Sequence, residues 1–166
     1  MNRARVSGIN LTMDTHNQDI FDGLAAMDDA DTVRISVCGT CIDCSNAGEA
    51  GIGAGARLFE KMTEARDGHP CRDVLQIEKI RCLMACTEGC TLTIGARGKM
   101  KYLLGRLEPS DDLVEQVLDF AAMYAASPSG VTPNHEWPPL LAPHFIGRVP
   151  PCEPNDPGWE DDGADL

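Results

Sequence analysis

Histidine is scarce in this 166-residue chain: His16, His69, His135 and His144 stand alone, with no two at ligand spacing. They read as surface or hydrogen-bonded structural residues rather than metal ligands. Aromatic residues make up only 5% of the sequence, so its core must be largely aliphatic. No apolar run approaches the roughly 18 residues that a membrane-spanning helix needs. Behind Arg3 and Arg5 there is no apolar stretch of the kind a signal peptide carries, which points to a cytoplasmic protein. Lys and Arg total 14 against 26 Asp and Glu, a formal charge of −12. That balance argues against nucleic acid and against an anionic membrane surface as partners, because both demand clustered cations. Paired carboxylates and a Ser-His or Cys-His arrangement are also missing, so nothing here reads as an enzyme.

The negative charge is unevenly placed. Residues 1–31 carry a net −4 and residues 149–166 a net −6, which leaves the middle nearly neutral. Such ends have too little apolar surface to offset the entropy of ordering. The expected organisation is an acidic, disordered extension over 1–31, one cysteine-rich domain over 32–130, and a Pro-rich then acidic tail over 131–166. Within that tail Trp137, Leu140, Leu141, Phe145 and Ile146 are apolar anchors that would wrap the core or pack on a second subunit. A homodimer is one way for so small a domain to bury more surface.

Cysteine is abundant. Six of the eight cysteines form two clusters, Cys38-x2-Cys41-x2-Cys44 and Cys82-x3-Cys86-x3-Cys90, with Cys71 and Cys152 apart. A secreted disulfide scaffold spreads its cysteines along a short chain, whereas clustered cysteines in a reducing compartment bind metal or do redox chemistry. Cys71 is expected to pack structurally, and Cys152 to be free.

The pattern around the clusters is α/β. Val33, Ile35 and Val37 alternate as on a half-buried strand that ends at Cys38. Ala54, Leu58, Met62 and Ala65 repeat at helical spacing over Gly53 to Arg66, and Val74 to Ile80 is a second strand running into Cys82. Thr91 to Ile94 and Met100 to Leu107 flank a turn at Arg97-Gly98-Lys99. A helix follows from Pro109 to about Ala126, with Ser110 as N-cap and the acidic pair Asp111-Asp112 in its first turn. The order β-α-β-β-β-α predicts a thioredoxin-like fold with a mixed four-stranded sheet. A crossover helix makes the first two strands parallel, so both cysteine loops leave the same end of the sheet, where open α/β sheets place their sites.

Four thiolates hold either an iron–sulfur cluster or Zn²⁺. Cys82-x3-Cys86 supplies two, and Cys38 with Cys41 or Cys44 supplies the others. The second cluster lacks the C-x2-C spacing of a zinc ribbon, and no fourth Cys follows Cys44 to complete a bacterial 4Fe-4S run. A redox dithiol at Cys38-x2-Cys41 is disfavoured, since the helix that would lower a thiol pKa starts about ten residues further on. Gly51-Ile52-Gly53-Ala54-Gly55-Ala56 matches the start of a dinucleotide fingerprint but lies too far from the strand. Its small residues are expected to pack a helix N-terminus on the sheet. Arg72, Lys79, Arg81, Arg97, Lys99 and Lys101 read as strand solvation, with neutralisation of a thiolate cluster as the alternative.

Val37-Cys38-Gly39-Thr40-Cys41, Arg81-Cys82-Leu83-Met84-Ala85-Cys86-Thr87-Glu88-Gly89-Cys90-Thr91-Leu92 and Gly98-Lys99-Met100-Lys101-Tyr102 together resemble the DUF1636 family of predicted metal-binding proteins. The resemblance extends from about Thr32 to Pro151, and its layout is similar to that of thioredoxin-like 2Fe-2S ferredoxins. It implies a 2Fe-2S cluster on Cys38, Cys41, Cys82 and Cys86, with Cys44 and Cys90 as surplus or alternative ligands. The first spacing departs from those ferredoxins, which place at least four residues between their first two ligands. The implied work is one-electron transfer or redox sensing with a redox partner protein, as a homodimer, in a setting linked to cobalamin biosynthesis. Zn²⁺ or another transition metal held for metal handling, by the same cysteines, is the alternative.

Overall fold

Val33, Ile35 and Val37 are fully buried while Arg34 is exposed, so the alternation seen in the sequence forms strand β1, Val33–Cys38. The computed structural model describes residues 32–41 and 53–151. The expectations for 1–31, for Cys44, for Cys152 and for the acidic end lie outside the described residues. Helix α1 covers Ala54–Gly68 and buries Ala54, Gly55, Leu58 and Met62. It returns the chain to β2, Leu75–Ile80, which pairs with β1 in parallel from Val33↔Leu75 to Cys38↔Ile80. Strands β3, Leu92–Gly95, and β4, Lys101–Leu104, form the expected hairpin, with Gly98 in the left-handed region at φ 68°. Helix α2 then covers Asp111–Ala126.

The expected sheet had four strands, and the described residues form five. Phe145–Val149 makes β5, which pairs antiparallel with β4 and gives the order β2-β1-β3-β4-β5. This strand lies inside the segment read as a Pro-rich tail. Pro143 and Pro150 bracket it closely, and its register with β4 shifts at Leu103/Leu104, so it shows no clean alternation in sequence. Between α2 and β5 the chain wraps the core rather than trailing away. Leu141 is fully buried and Trp137 stacks edge-on to Tyr102, Phe120 and Phe145 at 5.8, 5.1 and 5.3 Å.

Both helices pack on one face of the sheet, touching each other and β1. That face carries the core rows Ile35–Ile94–Tyr102 and Val37–Leu92–Leu104. Two smaller expectations change. Ser110 sits at the N-cap of α2, but its side chain makes no capping bond. Lys99 is not a solvated strand residue: it is buried, and its Nζ donates to the Ala125 carbonyl at 2.9 Å, satisfying a carbonyl in the last turn of α2.

Candidate metal centre

Parallel pairing fixes where the two cysteine clusters meet. Cys38 lies opposite Ile80 at the carboxyl ends of β1 and β2, so the residues that follow each strand emerge side by side. Two bonds lock them there: the Gly39 N–H donates to the Ile80 carbonyl at 2.8 Å, and the Thr40 hydroxyl donates to the Arg81 carbonyl at 2.8 Å. The third segment comes from the start of β3, where the Thr91 carbonyl accepts the Cys38 N–H at 3.0 Å. The Cys41 thiol donates to the Gly89 carbonyl at 3.0 Å and lies 3.7 Å from the Thr91 hydroxyl. Residues separated by about 50 positions thus share one end of the sheet.

Helix α1 closes the site from below. Its N-terminal Gly53 and Gly55 lie against the Cys38–Cys41 loop, where the Gly55 N–H donates to the Cys41 carbonyl at 3.2 Å. A Cβ at Gly55 would overlap the Cys38 carbonyl and sit 3.2 Å from the Cys41 Cβ. The expectation that small residues seat this helix is met. The expectation that the helix is too remote to matter to Cys38-x2-Cys41 is corrected, because its first turn lies directly against the pair.

The environment splits Cys38 and Cys41. Burial pushes the Cys38 thiol up, but hydrogen bonds from the Leu83 N–H, the Cys41 thiol and Thr40 outweigh it and bring it down to about 7. For Cys41, burial and the hydrogen bond with Cys38 both act upward, and its pKa is raised. The Cys41 thiol is thus the protonated member of the pair, donating to the Gly89 carbonyl.

Cys82 is half-buried, and its sulfur accepts the Met84 N–H at 3.3 Å. Met84 itself is 86% exposed and adopts φ 58°, a costly conformation for a residue with a side chain. Cys86 opens a 3-10 turn, Cys86–Glu88, and faces solvent, while Cys90 is buried. Cys71 is buried far from this end, beside His69, as expected of a structural thiol.

Among the described residues no three Cys, His, Asp or Glu side chains come close enough to hold a metal ion. The donors fit a soft metal in kind: all are sulfurs, and Cys82 receives a backbone N–H bond, as thiolates bound to iron commonly do. A four-sulfur site from Cys38, Cys41, Cys82 and Cys86 is thus assembled in type but not in distance. Residues that sequence reasoning missed are Met84 and Gly89, which act through a backbone N–H and a carbonyl that no side-chain pattern announces, and Arg106, which holds Glu88 beside Gly89.

A sequence profile of the family described as protein of unknown function (DUF1636) matches residues 35–151. No curated protein matches the sequence. Among solved structures, a thioredoxin-like 2Fe-2S ferredoxin from Aquifex aeolicus is similar at a TM-score of 0.45 and 16% identity, over 74% of this chain and 97% of that one. No helix among the described residues is long and apolar enough to cross a membrane.

Proposed function

This chain belongs to the DUF1636 family, and from that premise we propose that it binds a 2Fe-2S cluster through Cys38, Cys41, Cys82 and Cys86 and passes single electrons or senses redox state, without being an enzyme. The observation that carries this reading is the parallel pairing that sets Cys38 beside the Cys82 segment, with the Thr40 hydroxyl donating to the Arg81 carbonyl at 2.8 Å. When bound, the cluster supplies reversible one-electron chemistry, with a potential set by burial and by N–H bonds to sulfur. The chain's own part is to shield Cys38 and Cys41, which are 2% and 4% exposed, and to aim the Met84 N–H at the Cys82 sulfur. The proposed setting is a cytoplasmic homodimer serving a redox partner, with a corrin pathway as one destination of the electrons. The acidic ends would steer it to a basic partner surface, so that association weakens with added salt.

A second reading is favoured by one observation. Cys86 is exposed, as a thiol that hands over a metal must be, so the same residues suit transfer of zinc, cobalt or another transition metal. Buried Cys90 favours the carrier instead.

Anaerobic purification followed by iron and acid-labile sulfide analysis tests the proposal. Two of each per chain, with visible absorption that bleaches under dithionite, supports the cluster. Loss of both in Cys38→Ser and Cys82→Ser supports these ligands. A colourless protein carrying one zinc or cobalt overturns electron transfer in favour of metal handling. A colourless, metal-free protein that cycles a Cys38–Cys41 disulfide overturns both.

A further inference from the structure

Two residues with side chains adopt positive φ among the described residues, Met84 and Arg106, and both serve the second cysteine segment. Met84 lies within it. Arg106 lies outside it, just after β4, at φ 56°. A left-handed conformation is costly for arginine and free for glycine, so its retention here needs a reason in the side chain.

The side chain supplies that reason. The Arg106 N–H donates to the Glu88 carbonyl, and its guanidinium pairs with the Glu88 carboxylate. The same guanidinium donates to the Pro143 carbonyl at 2.6 Å. Its neighbours extend the clamp on both sides. The Leu107 N–H donates to the Cys90 carbonyl at 3.1 Å, and the Gly105 N–H donates to the His144 carbonyl at 2.8 Å. Gly105 itself is needed for the close approach, because a Cβ there would stand 2.9 Å from the Glu88 Cβ. The held turn then reaches the first cluster directly, since the residue after Glu88 is Gly89, whose carbonyl accepts the Cys41 thiol at 3.0 Å.

We propose that Arg106 is a positioning residue for the metal centre: it clamps the Cys86–Cys90 turn over Cys41 and ties that turn to the chain at Pro143 and His144. The inference deepens the reading above and rests on it for its meaning, but its test needs no metal. Arg106 acts through Glu88, and through it on Gly89. Releasing it loosens the turn, which uncovers Cys41 and frees Cys90 within the turn, while the sheet and helices stay in place.

The test is pulsed iodoacetamide labelling of the metal-free full chain at pH 8, resolved by cysteine with mass spectrometry. Arg106→Gly relieves the left-handed backbone and removes the guanidinium, so it keeps the fold and the backbone bonds while losing the side-chain ties to Glu88 and Pro143. It should label Cys41 and Cys90 about tenfold faster or more, as local opening becomes cheaper. Buried Cys71 serves as the internal control and should keep its rate. Glu88→Gln cuts the ion pair from the other side with φ at 106 untouched, and should raise the same two rates by less. It carries the test if Arg106→Gly does not fold. Unchanged Cys41 and Cys90 rates overturn the proposal. So does a matching rise at Cys71, which means general loosening. Iron and sulfide analysis of the same proteins reports separately on the cluster reading.

Discussion

The Cys41 thiol and the Gly89 carbonyl, 48 residues apart in sequence, are joined by one hydrogen bond of 3.0 Å. A carbonyl can only accept, so Cys41 is the donor in this bond; at Cys38 burial acts upward, but hydrogen bonds to its sulfur, that of Cys41 among them, outweigh it and bring its pKa from 9.0 to about 7. Ultraviolet titration of the metal-free protein should therefore show a thiolate step near pH 7 that is absent from Cys38→Ser. Cys41→Ala should move that step back toward higher pH. The linked stability has a definite sign. A folded-state pKa below the unfolded value gives stability that is fully present above pH 9 and is lost as pH falls through 7. The denaturation midpoint of the metal-free protein should decline across that window, and less so in Cys38→Ser.

Gly55 offers a sharper structural test. Replacing a helical glycine by alanine ordinarily gains about 0.5–1 kcal/mol of stability. At Gly55 the new Cβ would run into the Cys38 carbonyl, which is backbone and cannot rotate away. Gly55→Ala should therefore lose about 1–3 kcal/mol and disturb the Cys38 titration with it. Gly68, at the other end of α1, has nothing within 4 Å of such a Cβ. Gly68→Ala should be neutral or mildly stabilising in the same denaturation series. Equal effects at the two positions would contradict the seating of α1 on the cysteine loop.

Much of this frame was legible beforehand, and the reasons are particular. Val33, Ile35 and Val37 announce β1 because one face of the sheet is covered by helices and the other is not. The crossover by α1 dictates parallel pairing with β2, which puts Cys38 and Cys82 at one end. What stayed hidden is of two kinds. β5 is a short edge strand between prolines, with a shifted register, so its pairing with Tyr102 and Leu103 leaves no alternation to read. Arg106, Leu83 and Met84 act through backbone groups or a left-handed φ, and neither is encoded by residue type in a recognisable spacing.

The segment after α2 belongs to the core, and its removal should show it. Tyr102 meets Phe120, Tyr124, Trp137 and Phe145 edge to face at 5.0–6.2 Å, and its hydroxyl accepts the Thr132 N–H at 3.2 Å. Trp137 is pinned by its indole N–H, which donates to the Thr132 carbonyl at 3.0 Å. Trp137→Ala should cost about 3–5 kcal/mol. A chain ending at Gly130 would uncover Tyr102 and Phe120 and leave β4 as a bare edge, so it should lose cooperative unfolding and its near-ultraviolet dichroism. Retention of both signals would instead make the domain end at residue 130.

Cys71 provides the alkaline counterpart of Cys38. Burial, and then the nearby Asp119 carboxylate, push its thiol up from 9.0 to about 11. Here the folded-state pKa lies above the unfolded one. The contribution to stability is intact below pH 9 and is lost as pH rises through 11. Tyr124 acts in the same direction, since burial also raises its phenol and its hydroxyl accepts the Ala96 N–H at 2.8 Å. The metal-free protein should accordingly lose stability from pH 9 upward, and Cys71→Ala should flatten part of that slope. Asp119→Asn, which removes the neighbouring charge but leaves the thiol buried, should flatten it less, because burial is the larger cause. An alkaline slope identical in all three proteins would mean that Cys71 ionises as freely in the fold as out of it.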